Sequence, residues 1–100
     1  VLEIARMEEP RGLRLVGELD LANVDDFSAL MEPEVRGGGE IVLDVSQLRF
    51  IGSSGVQVII RALLDLEDRG RLILDRPSYS LRRLIEVMGL QRFDNLDIRE

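Results

Sequence analysis

The sequence predicts an α/β domain, a mixed sheet with packed helices in the order β-β-α-β-α-β-α-β, and three observations carry that reading. Short apolar runs, some alternating with period two and some uniformly apolar, recur along the chain. Between them lie stretches whose apolar residues recur at i, i+3, i+4 and i+7, the spacing of one helix face. Strands that alternate with helices argue for right-handed crossovers and a largely parallel sheet, to which an opening hairpin adds one antiparallel pair. The third observation is size: 100 residues, 45% of them apolar and 32% charged, suit one folded domain spanning 1–100 with a single core.

The elements follow in order. Leu2 and Ile4, with Arg6 in phase, alternate with outward positions, and Pro10-Arg11-Gly12 marks a turn. Leu13, Leu15, Gly17 and Leu19 resume the period as the second strand of a hairpin. Val24, Phe27, Leu30 and Met31 then define a helix, with Asn23 as its expected N-cap, Asp25 and Asp26 in its first turn and the glycines 37–39 at its end. Pro33 in its last turns is expected to kink or shorten it. Residues 40–45 form the most buried-looking strand, and 46–52 read as a connection. The second helix begins at Val56 and carries Ile59, Ile60, Leu63 and Leu64, a stripe broad enough for a helix lying flat on a sheet. Gly70 is its expected C′ residue, and Arg69 complements the negative end of its dipole. Leu72-Ile73-Leu74 is another buried strand. Leu81, Leu84, Ile85 and Met88 then give a third helix closed by Gly89, and 94–99 a last strand with Leu96 and Ile98 inward.

Composition narrows the function. A net charge of −6 argues against a broad grip on nucleic acid phosphates and favours a basic partner. With no cysteine and no histidine, the chain lacks the means for disulfides, Cys/His zinc sites and Ser-His-Asp or Cys-His catalysis. No catalytic constellation, cofactor motif or metal-ligand spacing stands out, so the expectation is a protein that is not an enzyme. No apolar run approaches the ~20 residues of a membrane span. The cytoplasm is the expected location, and Val1 in place of a methionine leaves room for a removed targeting segment.

Phe50-Ile51-Gly52-Ser53-Ser54-Gly55 is the most informative stretch, because it lies where a buried strand hands over to a helix. Helix N-termini leave N–H groups unpaired and carry the positive end of the macrodipole. A serine there caps the helix, and a phosphate on it meets the same donors. Ser53 is therefore either an ordinary cap or a switch. The stretch is no P-loop, since no Gly-Lys-Ser/Thr follows, and no nucleophile elbow, since the spacing differs and no histidine exists to activate a serine. Ser54 reads as a residue that caps or solvates the first turn. Gly55 fits either close packing or room for an approaching partner backbone. Asp20 reads equally as a loop carboxylate ahead of the first helix and as a functional group. Asp44, ending its strand, is expected to bond the residues that follow. Arg82 and Arg83 read as a solvated face.

The run from Asp44 to Val56, DVSQLRFIGSSGV, resembles the signature of STAS domains, specifically the bacterial anti-sigma factor antagonists. Gly17-Glu18-Leu19-Asp20 resembles that family's second motif, and Leu81-Arg82-Arg83-Leu84 through Met88-Gly89-Leu90 its third helix and following turn. The resemblance covers nearly the whole chain. It implies a partner switch: the unphosphorylated antagonist binds an anti-sigma factor that is also a serine kinase, with ATP bound by that partner, and so frees a sigma factor. Phosphorylation of Ser53 then releases the complex until a serine phosphatase resets it. Asp20, Gly52, Ser54 and Gly55 are the implied partner-binding positions. The resemblance implies no direct nucleic acid binding, no membrane contact, and neither cofactor nor metal on this chain. One departure is Gly52, where the family often carries aspartate. It keeps open an alternative, a non-switching STAS subunit that braces a transporter ATPase or a larger signalling complex.

Overall fold

The computed structural model describes residues 1–100. Its elements are β1 (Leu2–Glu8), β2 (Arg11–Leu19), α1 (Val24–Gly37), β3 (Gly39–Ile51), α2 (Ser53–Leu66), β4 (Gly70–Asp75), α3 (Tyr79–Val87) and β5 (Leu96–Arg99), with single 3₁₀ turns after α2 and α3. The five strands lie in the order β1-β2-β3-β4-β5. β1 pairs antiparallel to β2, and every later neighbour is parallel. The predicted mixed sheet and element order are therefore those observed.

This order places the layers. Each of the three helical crossovers moves one strand further in the same direction, and crossovers of one hand then put every helix on the same face. Leu13, Leu15 and Leu19 of β2, Ile41, Leu43 and Val45 of β3, and Leu72 and Leu74 of β4 point to that face. They merge with Phe27 and Met31 of α1, Ile59 and Leu63 of α2, and Leu81 and Ile85 of α3 into one cluster of 21 buried side chains.

The opposite face has no helix over it and is kept wet by charge. Strand register lines up Arg14, Asp44, Asp75 and Arg99 across four strands. Arg71 grips Asp97 through two bonds of 2.8 Å. Asp44 as a whole is only 4% exposed. Its Oδ1 accepts from the Ser46 N–H at 3.0 Å and the Ser46 hydroxyl at 2.7 Å, and its Oδ2 accepts from Arg14 at 3.2 Å and Arg76 at 3.4 Å. Asp44 thus bonds the following residues, as the sequence suggests. Val42 and Ile73 lie on the same helix-free face and are nevertheless buried.

Close backbone approach explains one glycine of β2. Gly12 has φ +157, and a Cβ on it would stand 1.8 Å from the Val42 carbonyl oxygen. A side chain there would force β2 and β3 apart.

Several boundaries differ from expectation. β3 does not stop at residue 45 but continues to Ile51, so 46–51 is strand and only Gly52 connects it to α2, which starts at Ser53 and not at Val56. The polar residues of β3's second half pair with β2 through two register shifts, which break the period-two pattern. Pro33 is exposed, and α1 runs unbroken past it to Gly37. Asn23 occupies the N-cap position of α1 without a side-chain cap bond. Gly70 is not a C′ residue: Glu67 takes the positive φ of +50, and Gly70 opens β4 in extended conformation. Arg69 does bond the Asp65 carbonyl near the end of α2, at 2.9 Å. β5 is shorter than 94–99, and Ile98 is exposed because β5 is an edge strand.

Glu34 of α1 is another polar group inside, 6% exposed. Arg11 bonds its carboxylate at 2.9 Å and, at 2.7 Å each, the Glu34 and Gly38 carbonyls, closing the C-terminal end of α1.

The Asp44 site yields a pH prediction. Burial pushes its carboxyl up, but the Ser46 hydroxyl and N–H, the Arg14 hydrogen bond and the Arg76 charge together hold it below the ordinary value of 3.8. A carboxyl depressed on folding adds stability that is complete above its unfolded value and is lost as pH falls through the folded one. Asp44→Asn is therefore expected to cost about 1–2 kcal/mol near neutral pH. In denaturant titrations the gap between the two proteins should close as pH drops below 3.8.

Candidate functional site

The site is built where β2 and β3 end together. Leu19 is the register partner of Ile51. Beyond that pair the Gly52 N–H donates to the Leu19 carbonyl at 2.9 Å. This last bond ties the first residue beyond β3 to the end of β2, so the 20–23 loop and the start of α2 emerge side by side at one end of the sheet.

Gly52 is the N-cap residue of α2, with φ −83 and ψ 171, and no side chain caps the helix. Ser53 is therefore not the cap. It is the first helical residue and is exposed to solvent. Its first turn contains no acidic residue, so the positive end of the helix is left without a fixed counter-charge from its own turn. Ser54 is half-buried and likewise makes no cap bond. The structure thus separates two properties that the sequence leaves merged, since the capping position falls to a glycine and the exposed hydroxyl stands one residue later.

Gly52 and Gly55 are glycines for different reasons. A Cβ on Gly52 would lie 3.7 Å from the Phe50 ring and 3.9 Å from the Leu19 carbonyl oxygen, ordinary contacts, and its φ suits any residue. Nothing in the backbone demands glycine there. Gly55 is buried, and a Cβ on it would stand 2.7 Å from Leu19 Cδ2 and 2.9 Å from Ile51 Cγ1. It lets α2 press onto the ends of β2 and β3, and it faces the core, not the solvent.

Asp20 organises the neighbouring loop. Its Oδ1 accepts from the Ala22 N–H at 3.1 Å, while its own N–H donates to Asn23 Oδ1 at 2.9 Å. Asn23 Nδ2 donates in turn to the Glu18 carbonyl at 3.0 Å. Asn23 is therefore a staple between β2 and α1. Half-buried Asp20 holds the loop's shape and stands at the same end of the sheet as Ser53.

Two site residues escape the sequence reading. Leu21, at the loop tip, is 80% exposed, and Phe50, beside Gly52, is 53% exposed. Both are large apolar side chains that the core does not use. A leucine among turn residues and an aromatic next to a buried strand end are the signals that could have found them. Below Phe50, Arg49 Nε bonds Glu18 at 2.9 Å across the two strands. No group of three or more histidine, cysteine, aspartate or glutamate side chains is placed to hold a metal ion.

Among known families, the one to which this sheet and helix arrangement belongs is that of the STAS domains. The chain belongs to that family: the family model described as "Mlab, STAS domain" matches residues 2–99. Solved structures agree in fold. The unphosphorylated form of the anti-sigma factor antagonist SpoIIAA is 25% identical, with a TM-score of 0.69 over 92% of this chain and 96% of that one. The phosphorylated form of the Bacillus cell fate determinant SpoIIAA is 25% identical at a TM-score of 0.70, over 100% of this chain and 92% of that one. An anti-sigma factor antagonist from Mycobacterium paratuberculosis shares the fold at 18% identity, with a TM-score of 0.73 over 97% of this chain and 84% of that one.

Because Gly52 is an N-cap in extended conformation, Gly52→Asp should be accommodated and should raise stability by a few tenths of a kcal/mol through the cap bond it adds. Gly55→Ala should instead cost about 1–3 kcal/mol, since Leu19 and Ile51 must yield. Thermal melts of the two variants beside the parent check both signs.

Proposed function

We propose that this chain is an anti-sigma factor antagonist, a regulatory binding module without catalysis of its own, switched by phosphorylation of Ser53. The observation that carries the reading is the exposed Ser53 at the first position of an uncapped α2, at the same end of the sheet as the exposed apolar Leu21 and Phe50. Its partner is an anti-sigma factor serine kinase that binds the unphosphorylated form and supplies the ATP. A serine phosphatase restores the starting state.

The physics of such a switch is local. A phosphate adds about −1.5 to −2 charges at one side chain. The open N-terminus of α2 tolerates that charge within this domain, because unpaired N–H groups and the dipole both favour it. The cost therefore falls on the contact surface, where a hydrated anion must be buried against the partner beside apolar Leu21 and Phe50. Binding is lost while the fold is kept. Asp20 takes part by fixing the loop that presents Leu21, and Ser54 and Gly52 form the immediate rim of the acceptor. Gly55 contributes by seating α2 on the sheet. Transcription is affected through the sigma factor that the partner releases.

The second reading, a non-switching STAS subunit that braces a transporter ATPase, is favoured by Gly52, which leaves the acceptor without a neighbouring carboxylate. It differs in one outcome: substitutions at Ser53 would not separate a bound from a released state.

Incubation with a cognate kinase and ATP should add one phosphate, at Ser53, by intact mass and peptide mapping. Labelling of Ser54 instead, or continued labelling of Ser53→Ala, would contradict the assignment. In calorimetric titrations Ser53→Ala should bind like the parent, and Ser53→Asp should bind about tenfold more weakly, a loss of ~1.4 kcal/mol. Equal affinity of the two variants would favour the bracing subunit.

A further inference from the structure

Asn23 stands where a residue caps α1 and spends its side chain elsewhere. It occupies the N-cap position with φ −122 and ψ 5 and makes no side-chain cap bond, although asparagine is among the best capping residues. Its amide turns back along the chain instead. Oδ1 accepts from the Asp20 N–H at 2.9 Å, and Nδ2 donates to the Glu18 carbonyl at 3.0 Å. The Asn23 N–H donates to the Asp20 carbonyl at 3.2 Å, and the Ala22 N–H to Asp20 Oδ1 at 3.1 Å. These bonds close the 20–23 loop onto the end of β2, and Leu21 takes part in none of them. Its side chain is 80% exposed, two residues beyond fully buried Leu19. A slack loop would let such a side chain fold back over the end of the core, whereas this one is tied on both sides of it. A backbone held in one shape has already given up the freedom that it would otherwise lose on binding, and that saving adds affinity.

We infer that Asn23 is a positioning residue, which gives up the cap of α1 to hold Leu21 outward as an anchor for the partner kinase. Leu21 enters an apolar pocket of that partner, and Asn23 acts only through Leu21. The inference rests on the reading of Ser53 as the acceptor and adds the residue that sets how tightly the partner is held. Ser53 itself is placed by other contacts, the Gly52 N–H on the Leu19 carbonyl and the close seat of Gly55 on Leu19 and Ile51. Loosening the loop therefore weakens the complex and leaves the transfer step alone once the complex has formed.

The test uses the full chain and the purified anti-sigma factor serine kinases of the source genome, with steady-state phosphorylation of Ser53 as the readout. Asn23→Ala should raise KM for the chain about tenfold and keep kcat within twofold, a split that a loss of stability alone does not produce while the variant stays folded. Leu21→Ala should do the same, and the double variant should be no worse than Leu21→Ala. Amide relaxation of the parent chain gives a measurement that no variant can spoil by misfolding: the Leu21 N–H should show an order parameter near 0.85, that of rigid backbone. A value below about 0.6 in the parent overturns the inference. So does a KM of Asn23→Ala within twofold of the parent, or a double variant whose loss is the product of the two single losses. In each of those cases a parent chain that is still phosphorylated at Ser53 leaves the acceptor reading standing. If none of the kinases phosphorylates the parent chain, the Ser53 reading fails and the positioning role with it.

Discussion

The parallel pairing of β2 with β3 is the constraint on which the rest of the molecule depends. It begins where Gly12 lets the Val42 carbonyl approach, passes two register shifts, and ends with the Gly52 N–H on the Leu19 carbonyl. That last bond fixes where β3 stops and α2 starts, and hence where Ser53 emerges. It also brings the Asp20 loop to the same end of the sheet. Gly55 then lets α2 close on Leu19 and Ile51, the same two residues that terminate the strands. Disturbing the ends of these strands would move Ser53, the loop and the helix together.

Charge and apolar surface are divided between the two faces. Crossovers in one direction place all helices on one side, so the other face must stay soluble without cover. It does so with arginine–carboxylate pairs centred on Asp44 and Asp97, and all 13 cationic residues of the chain are arginines. Guanidinium forks suit such pairs because they bond carboxylates through two N–H groups at fixed geometry. Exposed apolar residues lie instead at the end of the sheet, Leu21 and Phe50, and on α2, Leu64.

How much of this was legible in the sequence follows from the range of the interactions involved. Leu13, Leu15 and Leu19, and the third helix from Leu81 to Ile85, obey local periodicities strong enough to place them correctly. The second half of β3 did not, because Ser46, Gln47, Arg49 and Phe50 are exposed and their pairing shifts register. The start of α2 was displaced to Val56 since its first turn holds no apolar residue before it. A glycine cap leaves no signal, so the capping role fell to Ser53 by default. Glu34 and Arg11 meet across 23 residues of sequence, which no local pattern encodes. Ile98 looked inward by period two, but an edge strand leaves it exposed. Ser53 stands out in the sequence through family resemblance. The structure adds the exposure and the neighbours.

The central claim is that the charge on Ser53 is read at the surface while the fold stays as it is. Backbone amide NMR of the chain before and after stoichiometric phosphorylation of Ser53 measures this most directly. The account predicts shift changes confined to residues 50–57 and the 19–23 loop, with hydrogen-exchange protection of β3 and β4 unchanged. Changes spreading across the sheet to β4 and β5, or a general loss of protection, would contradict it and show that the phosphate acts by remodelling the domain.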